Sequence, residues 1–187
     1  MALFSLQKFI SEIRSRGVAR PTKFEVIMAA PNIVFLDDVV LSSMMCEITT
    51  LPSLNISVAS QRIYGPNYQN PISVDYGGEA ITMTFYVDRE MRVKKFFDTW
   101  MNYIVNSETY NPKYQNGLSG QYDRYTADIR INQLDDLDRP TYSIKLLKAF
   151  PRNMGIMELN SSSQNTPHRL NVTFAYRKWI PIKENEG

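Results

Sequence analysis

One histidine, one cysteine and a cluster of three aspartates are the residues of this chain whose types could support chemistry. His168 follows Pro167 at the start of an alternating run, and no second histidine exists to complete a metal pair. It reads as a surface residue. Cys46 lies in an apolar run and reads as buried and inert rather than nucleophilic. Asp135, Asp136 and Asp138 resemble part of a calcium loop. They lack the downstream glycine and terminal glutamate that such a loop needs, so they read as a turn. Gly77-Gly78 and Gly117/Gly120 do not have phosphate-loop spacing, and no Gly-Lys-Ser/Thr is present. The expectation is a protein that is not an enzyme, with no catalytic residue, no metal ligand and no cofactor.

Composition agrees with that expectation. The 187 residues can bury a genuine core, and one domain over 1–187 is expected. The 21 basic and 19 acidic residues leave a net charge of +2, too balanced for strong nonspecific nucleic-acid binding by the whole chain. With 11 Tyr, 9 Phe and 2 Trp, the chain leans toward β structure or an interaction surface. One cysteine cannot form an intrachain disulfide, which fits a reducing compartment. The apolar start is too short and too interrupted for a membrane span and lacks the marks of a cleaved signal. A soluble protein with no membrane insertion is expected.

Leu3, Leu6, Phe9, Ile10 and Ile13 recur at helical spacing, with Ser5 as N-cap and Gly17 as stop, giving a helical arm within 1–18. That arm packs either on its own body or on a neighbouring subunit. Phe24–Met28 reads as a strand, Pro31-Asn32 as punctuation, and Leu41–Thr50 as a second strand ended by Leu51-Pro52. Ala80–Val87 alternates as a strand. Asp88 is then read as the N-cap of a helix over 88–105, whose face carries Val93, Phe96, Phe97, Trp100, Met101 and Ile104. Phe85, Phe96, Phe97, Trp100 and Phe174 are the expected core. Residues 106–122 read as a polar loop.

Downstream, Tyr125–Asn132 and Tyr142–Leu146 alternate, Leu134–Pro140 turns, and Phe150–Gly155 is read as a break. A short segment Ile156–Leu159 follows. The last strand is read as Arg169–Trp179, with Leu170, Val172, Phe174 and Tyr176 inward and Arg169, Asn171, Thr173, Ala175 and Arg177 on a wet face. Residues 54–76 carry two mostly polar arms around Gln61–Asn67, a long hairpin with too few apolar residues to stand alone. It lies either over its own sheet as a flap or on another subunit. The fold class is mainly β (α+β): a β-sandwich or half-open β-barrel with one flanking helix, a protruding hairpin and a short N-terminal helix.

Several pieces, in order, resemble a known family. They are Ala19–Val26, the junction Thr49-Thr50-Leu51-Pro52, the unit Ile81–Phe85 with Arg89 and Phe96–Trp100, and Ala149–Leu159 before the last strand. Over about residues 17 to 180 the chain resembles the tail tube proteins of contractile-tailed bacteriophages, which share the fold of type VI secretion tube proteins. The resemblance implies hexameric rings stacked into a hollow conduit for DNA inside a contractile sheath. It implies as partners other copies of the chain, the sheath protein, a baseplate tube-initiator, and tape measure protein and DNA in the lumen. It places the protein in the virion tail, assembled in the host cytoplasm. On that reading Asn55, Ser57, Arg62, Tyr64, Ser73 and Tyr76 of the hairpin, with Phe4 and Leu6 of the arm, contact other subunits. Asp75, Asn171 and Thr173 face the lumen, joined by the hairpin's Asn55, Ser57 and Ser73. Arg169 and Arg177 sit awkwardly with a lumen that should not be basic, and would pair with acids or lie at a seam. The alternatives are a baseplate ring of the same fold, a type VI-like tube, and a monomeric binding module with a groove among the aromatics. The longer front end and the Tyr110–Tyr122 loop set the chain apart from the smallest family members.

Overall fold

Strict alternation at residues 80–87 builds the strand around which the rest is arranged. In a computed structural model, residues 5–29, 36–62, 64–76, 80–110, 125–162 and 166–182 are described. Leu3, Phe4, Pro31-Asn32, Gly77-Gly78 and 111–122 of the polar loop, with Gly117 and Gly120, lie outside the described residues. In chain order the elements are α1 (Leu6–Arg16), β1 (Phe24–Met28), α2 (Leu36–Met44), β2 (Cys46–Ile48), β3 (Asn55–Gln61) and β4 (Tyr68–Asp75). They continue with β5 (Ala80–Tyr86), α3 (Arg92–Ile104), β6 (Ala127–Leu134), β7 (Pro140–Met154), β8 (Arg169–Ala175) and β9 (Lys178–Ile182).

Seven strands form one antiparallel sheet in the order β1-β6-β7-β8-β5-β2, with β9 also on β7. The sheet curls into a half-barrel. Its corner is β7, whose first part pairs with β6 and β9 and whose last residues pair with β8. The turn is made at Lys148, which has φ +55 and donates its amide to Asp128 Oδ1 at 3.1 Å. A left-handed residue inside a strand gives the local twist of a bulge, and bulges are how a sheet closes on itself.

The inward faces carry Ile81, Met83 and Phe85 of β5 and Leu170, Val172 and Phe174 of β8, all buried. Helix α3 lays Val93, Phe96, Phe97 and Trp100 onto them. Phe97 lies 5.0 Å from Phe85 and 5.9 Å from Phe174, centroid to centroid, and is stacked with Trp100 at 6.5 Å. The Trp100 indole N–H donates to the Tyr125 carbonyl at 2.7 Å, so the one polar atom of that ring is satisfied. The fold is mainly β, and the expected core residues are all buried.

Five local expectations are corrected. A third helix, α2, occupies part of the run read as strand 41–50, and only Cys46–Ile48 pairs with β5. Asp37 and Asp38 in its first turn complement the helix dipole, and Asp38 is held by Arg92 of α3 at 2.6 Å. Helix α3 starts at Arg92, not at Arg89, because Asp88–Met91 is a turn ending in left-handed Met91. Asp88 is not the N-cap, yet its carboxylate accepts the Val93 amide at 3.2 Å. Residues 150–154 continue β7 instead of breaking it. Pro151 sits beside a register shift, one of the few places where a strand accepts proline. Ile156–Leu159 forms no strand; Ile156 is 95% exposed. The last strand ends at Ala175, and residues from Lys178 swing onto the other part of β7 as β9, with the Arg177 amide on the Leu147 carbonyl at 3.0 Å.

Candidate assembly surfaces

The hairpin forms its own two-stranded sheet, with no ladder to the main one. Its register pairs Asn55 with Asp75 and Ser57 with Ser73 on one face. Alternation places Ile56 opposite Val74 on the other face, followed by Val58 opposite Pro71 beyond a bulge. The hairpin is therefore amphipathic, and neither face is covered by the described residues. Ile56, Val58, Ile72 and Val74 are each about half exposed or more, and Tyr64 near the tip is 92% exposed. Arg62 is exposed beside it. A flap folded over its own sheet would have buried one of these faces, so the flap alternative does not describe this chain.

The base of the hairpin is pinned. The Tyr176 hydroxyl donates to the Tyr76 carbonyl at 2.7 Å, the Tyr76 ring meets Trp179 edge-on at 6.4 Å, and the Trp179 indole donates to the Ser53 carbonyl at 3.2 Å. Tyr76 thus packs inside the chain. The arm α1 is capped as expected, with Ser5 accepting the Lys8 amide and Gly17 closing the end at φ +73. Its apolar stripe does not dock on the body: Leu6 is 71% exposed, and Phe9, Ile10 and Ile13 are exposed too.

The outer face of the main sheet carries a polar ladder. Thr82 and Thr173 share a hydrogen bond of 3.0 Å across β5 and β8, and Thr84 donates to Asn171 Oδ1 at 2.8 Å. At the ladder's end, Arg169 grips Glu47 of β2 with two bonds of 2.6 and 2.8 Å, and the Tyr86 hydroxyl donates to the same carboxylate at 2.7 Å. The Arg169 guanidinium lies 5.7 Å from the Tyr86 ring centre. Hydrogen bonds from Arg169 and then Tyr86 hold the Glu47 carboxyl below the usual range. Asn171 and Thr173 thus share the open face with Arg169, whereas Asp75 lies on the hairpin's polar face. Thr82, Thr84, Tyr86 and Glu47 are absent from the residues expected to matter, although the alternation of 80–87 already puts the first three opposite the core.

The residues suspected of chemistry are placed elsewhere. Asp135 turns its carboxylate onto the Arg139 and Leu137 amides at 2.9 and 2.8 Å, which lowers its pKa and makes a turn of the aspartate cluster. Asp138 is paired with Lys23 at 2.6 Å. Cys46 is half-buried rather than fully buried as expected, and that burial pushes its thiol up to about 12. His168 is exposed. Among the described residues no group of three or more His, Cys, Asp or Glu could hold a metal. No described helix is long and apolar enough to cross a membrane. The aromatics of α3, β5 and β8 fill one another's space, so they leave no ligand groove among themselves.

A family model described as phage tail tube protein matches residues 19–181. A tail tube protein of Serratia phage KSP90 is 24% identical over 153 residues, covering 82% of this chain and 82% of that protein. Among solved structures, the fold is similar to a chain of the anti-feeding prophage baseplate, with a TM-score of 0.62, 16% identity, and coverage of 90% of this chain and 97% of that one. It is also similar to a chain of the sheath-tube complex of the extracellular contractile injection system PVC in its extended state. There the TM-score is 0.60 at 17% identity, over 92% of this chain and 96% of that one.

Proposed function

The chain belongs to the phage tail tube protein family, and from that premise we propose that it stacks as hexameric rings into a hollow conduit that delivers DNA inside a contractile sheath. The observation that carries this reading is the hairpin, which has an apolar face left bare and a base anchored to the body. An isolated two-stranded hairpin is marginal in water. Contact with a neighbouring subunit would bury Ile56, Val58 and Val74 and cover the open strand edges. The bare stripe of α1 makes the same demand a second time. A head-to-tail contact that closes gives a ring, and a stacking contact that does not close gives a tube.

On this reading the roles of Asn55, Ser57, Arg62, Tyr64, Ser73 and Leu6 are contacts between subunits. Tyr76 supports those contacts by holding the hairpin's base. The polar ladder with Asn171 and Thr173 faces the lumen, and Asp75 does so from the hairpin. Sheath, baseplate initiator and tape measure protein are the partners, the virion tail is the place of work, and assembly occurs in the host cytoplasm.

The test is a paired substitution, Ile56→Asn with Val74→Asn. Both side chains are exposed in the single chain, so its thermal midpoint should hardly move, while the light-scattering mass should fall to that of one chain. A variant that still forms rings or tubes would contradict the role given to the hairpin.

A further inference from the structure

The open face of β5 and β8 offers hydroxyls and an amide along most of its length: Thr82, Thr173, Thr84 and Asn171 satisfy one another in pairs. Arg169 is the exception. Its side chain is half exposed on that face, whereas the Glu47 carboxylate beneath it is only 18% exposed. Glu47 accepts both guanidinium bonds on its two oxygens and takes the Tyr86 hydroxyl as well. A free arginine on a surface facing nucleic acid would replace a condensed counterion on a phosphate, and each such pairing strengthens binding and makes it salt-dependent. An arginine held in a two-bond fork by a carboxylate keeps N–H donors to spare, but its charge is already compensated, so a phosphate gains little by exchanging a counterion for it.

We propose that Glu47 keeps this face from holding nucleic acid, by occupying Arg169 so that a passing polyanion meets a neutral polar surface. The inference rests on the conduit reading and adds a positioning residue to it: Glu47 touches no cargo and acts through Arg169. In a conduit the consequence is low friction. A ring of subunits repeats any unmasked cation around the bore, so one unpaired arginine per chain becomes a girdle of phosphate-binding sites. The pairing also explains why a wet face can carry an arginine at all.

The experiment uses the full chain, a short fluorescent duplex DNA and anisotropy across a salt series. Glu47→Gln keeps the shape and the acceptor oxygen but removes the charge. It should tighten DNA binding and steepen the slope of log K against log salt by about 0.9 for each additional phosphate neutralised. The double variant Glu47→Gln/Arg169→Gln should return both readouts to the parent values. Arg169→Gln alone uncovers the Glu47 carboxylate and should bind DNA no more tightly than the parent, and this arm still reads the proposal if Glu47→Gln fails to fold. The proposal is overturned if folded Glu47→Gln binds DNA like the parent, if the double variant still binds more tightly than the parent, or if Arg169→Gln alone tightens binding. Negative-stain images of the same samples report assembly separately, so a parent chain that never assembles counts against the conduit while the DNA arms still judge the pairing.

Discussion

Trp100 is a side chain on which the core closes: it is fully buried, stacked with Phe97, edge-on to Phe96, and hydrogen-bonded to the Tyr125 carbonyl. Trp100→Ala should cost about 3–5 kcal/mol, from lost burial and the cavity left behind. Urea unfolding of the unassembled chain would measure it. Cys46 gives a pH dependence with a definite sign. Burial raises its thiol from 9.0 to about 12, so the folded state resists ionisation. The stability it contributes is complete below the unfolded value and is lost as pH rises from about 9 toward about 12. Between pH 8 and pH 10.5 the parent should therefore lose more stability than Cys46→Ala, and thiol reagents at pH 8.5 should label the chain only after unfolding. Glu47 runs the other way. Its depressed carboxyl contributes above the ordinary carboxylate range, and that contribution disappears as acid protonates it below that range.

At the scale of elements, the corner in β7 decides whether the sheet closes. Asp128 accepts the amide of left-handed Lys148 and pairs with Lys145 at 2.8 Å. Asp128→Ala should destabilise by about 1 kcal/mol, nearly all of it from the backbone bond, because a half-exposed ion pair contributes little. Circular dichroism through a thermal ramp would show the shift. The strands that flank α3 are legible in the sequence because one face is buried and the other wet, so Ile81–Phe85 and Leu170–Phe174 alternate without exception. The stripe of α3 is legible for the same reason at helical period. Helix α2 is not, since Val39-Val40-Leu41 is an apolar run too short to separate helix from strand, and the cue lies upstream in Asp37-Asp38. The passage of β7 through Pro151 is hidden because only the pairing with β8 reveals the register shift beside it. The hairpin's existence can be read from its turn residues. Its bareness cannot, because exposure depends on where the rest of the chain goes.

At the scale of the molecule, the surfaces divide by what they lack. The core side of the sheet is complete within one chain, with its aromatics closed on each other and α2 pinned to α3 by Arg92 and Asp38. The hairpin and α1 leave apolar side chains exposed that the described residues do not bury. The open face of β5 and β8 is satisfied in itself and asks for no partner. Two uncovered apolar surfaces and one self-satisfied polar face suit a subunit that binds its own kind at the sides and lets something slide past the middle. The Arg169–Glu47 pair, 122 residues apart in sequence, has no local signal. Only the sheet order β8-β5-β2 brings it together.

The most direct measurement is negative-stain electron microscopy of the purified chain over a concentration series, with and without baseplate complexes as seeds and with light-scattering mass alongside. Hollow rings or tubes of constant diameter are expected, formed alone or grown from the seeds, and they should be lost in the Ile56→Asn/Val74→Asn variant. A chain that stays monomeric at every concentration and does not extend the seeds would contradict the conduit reading.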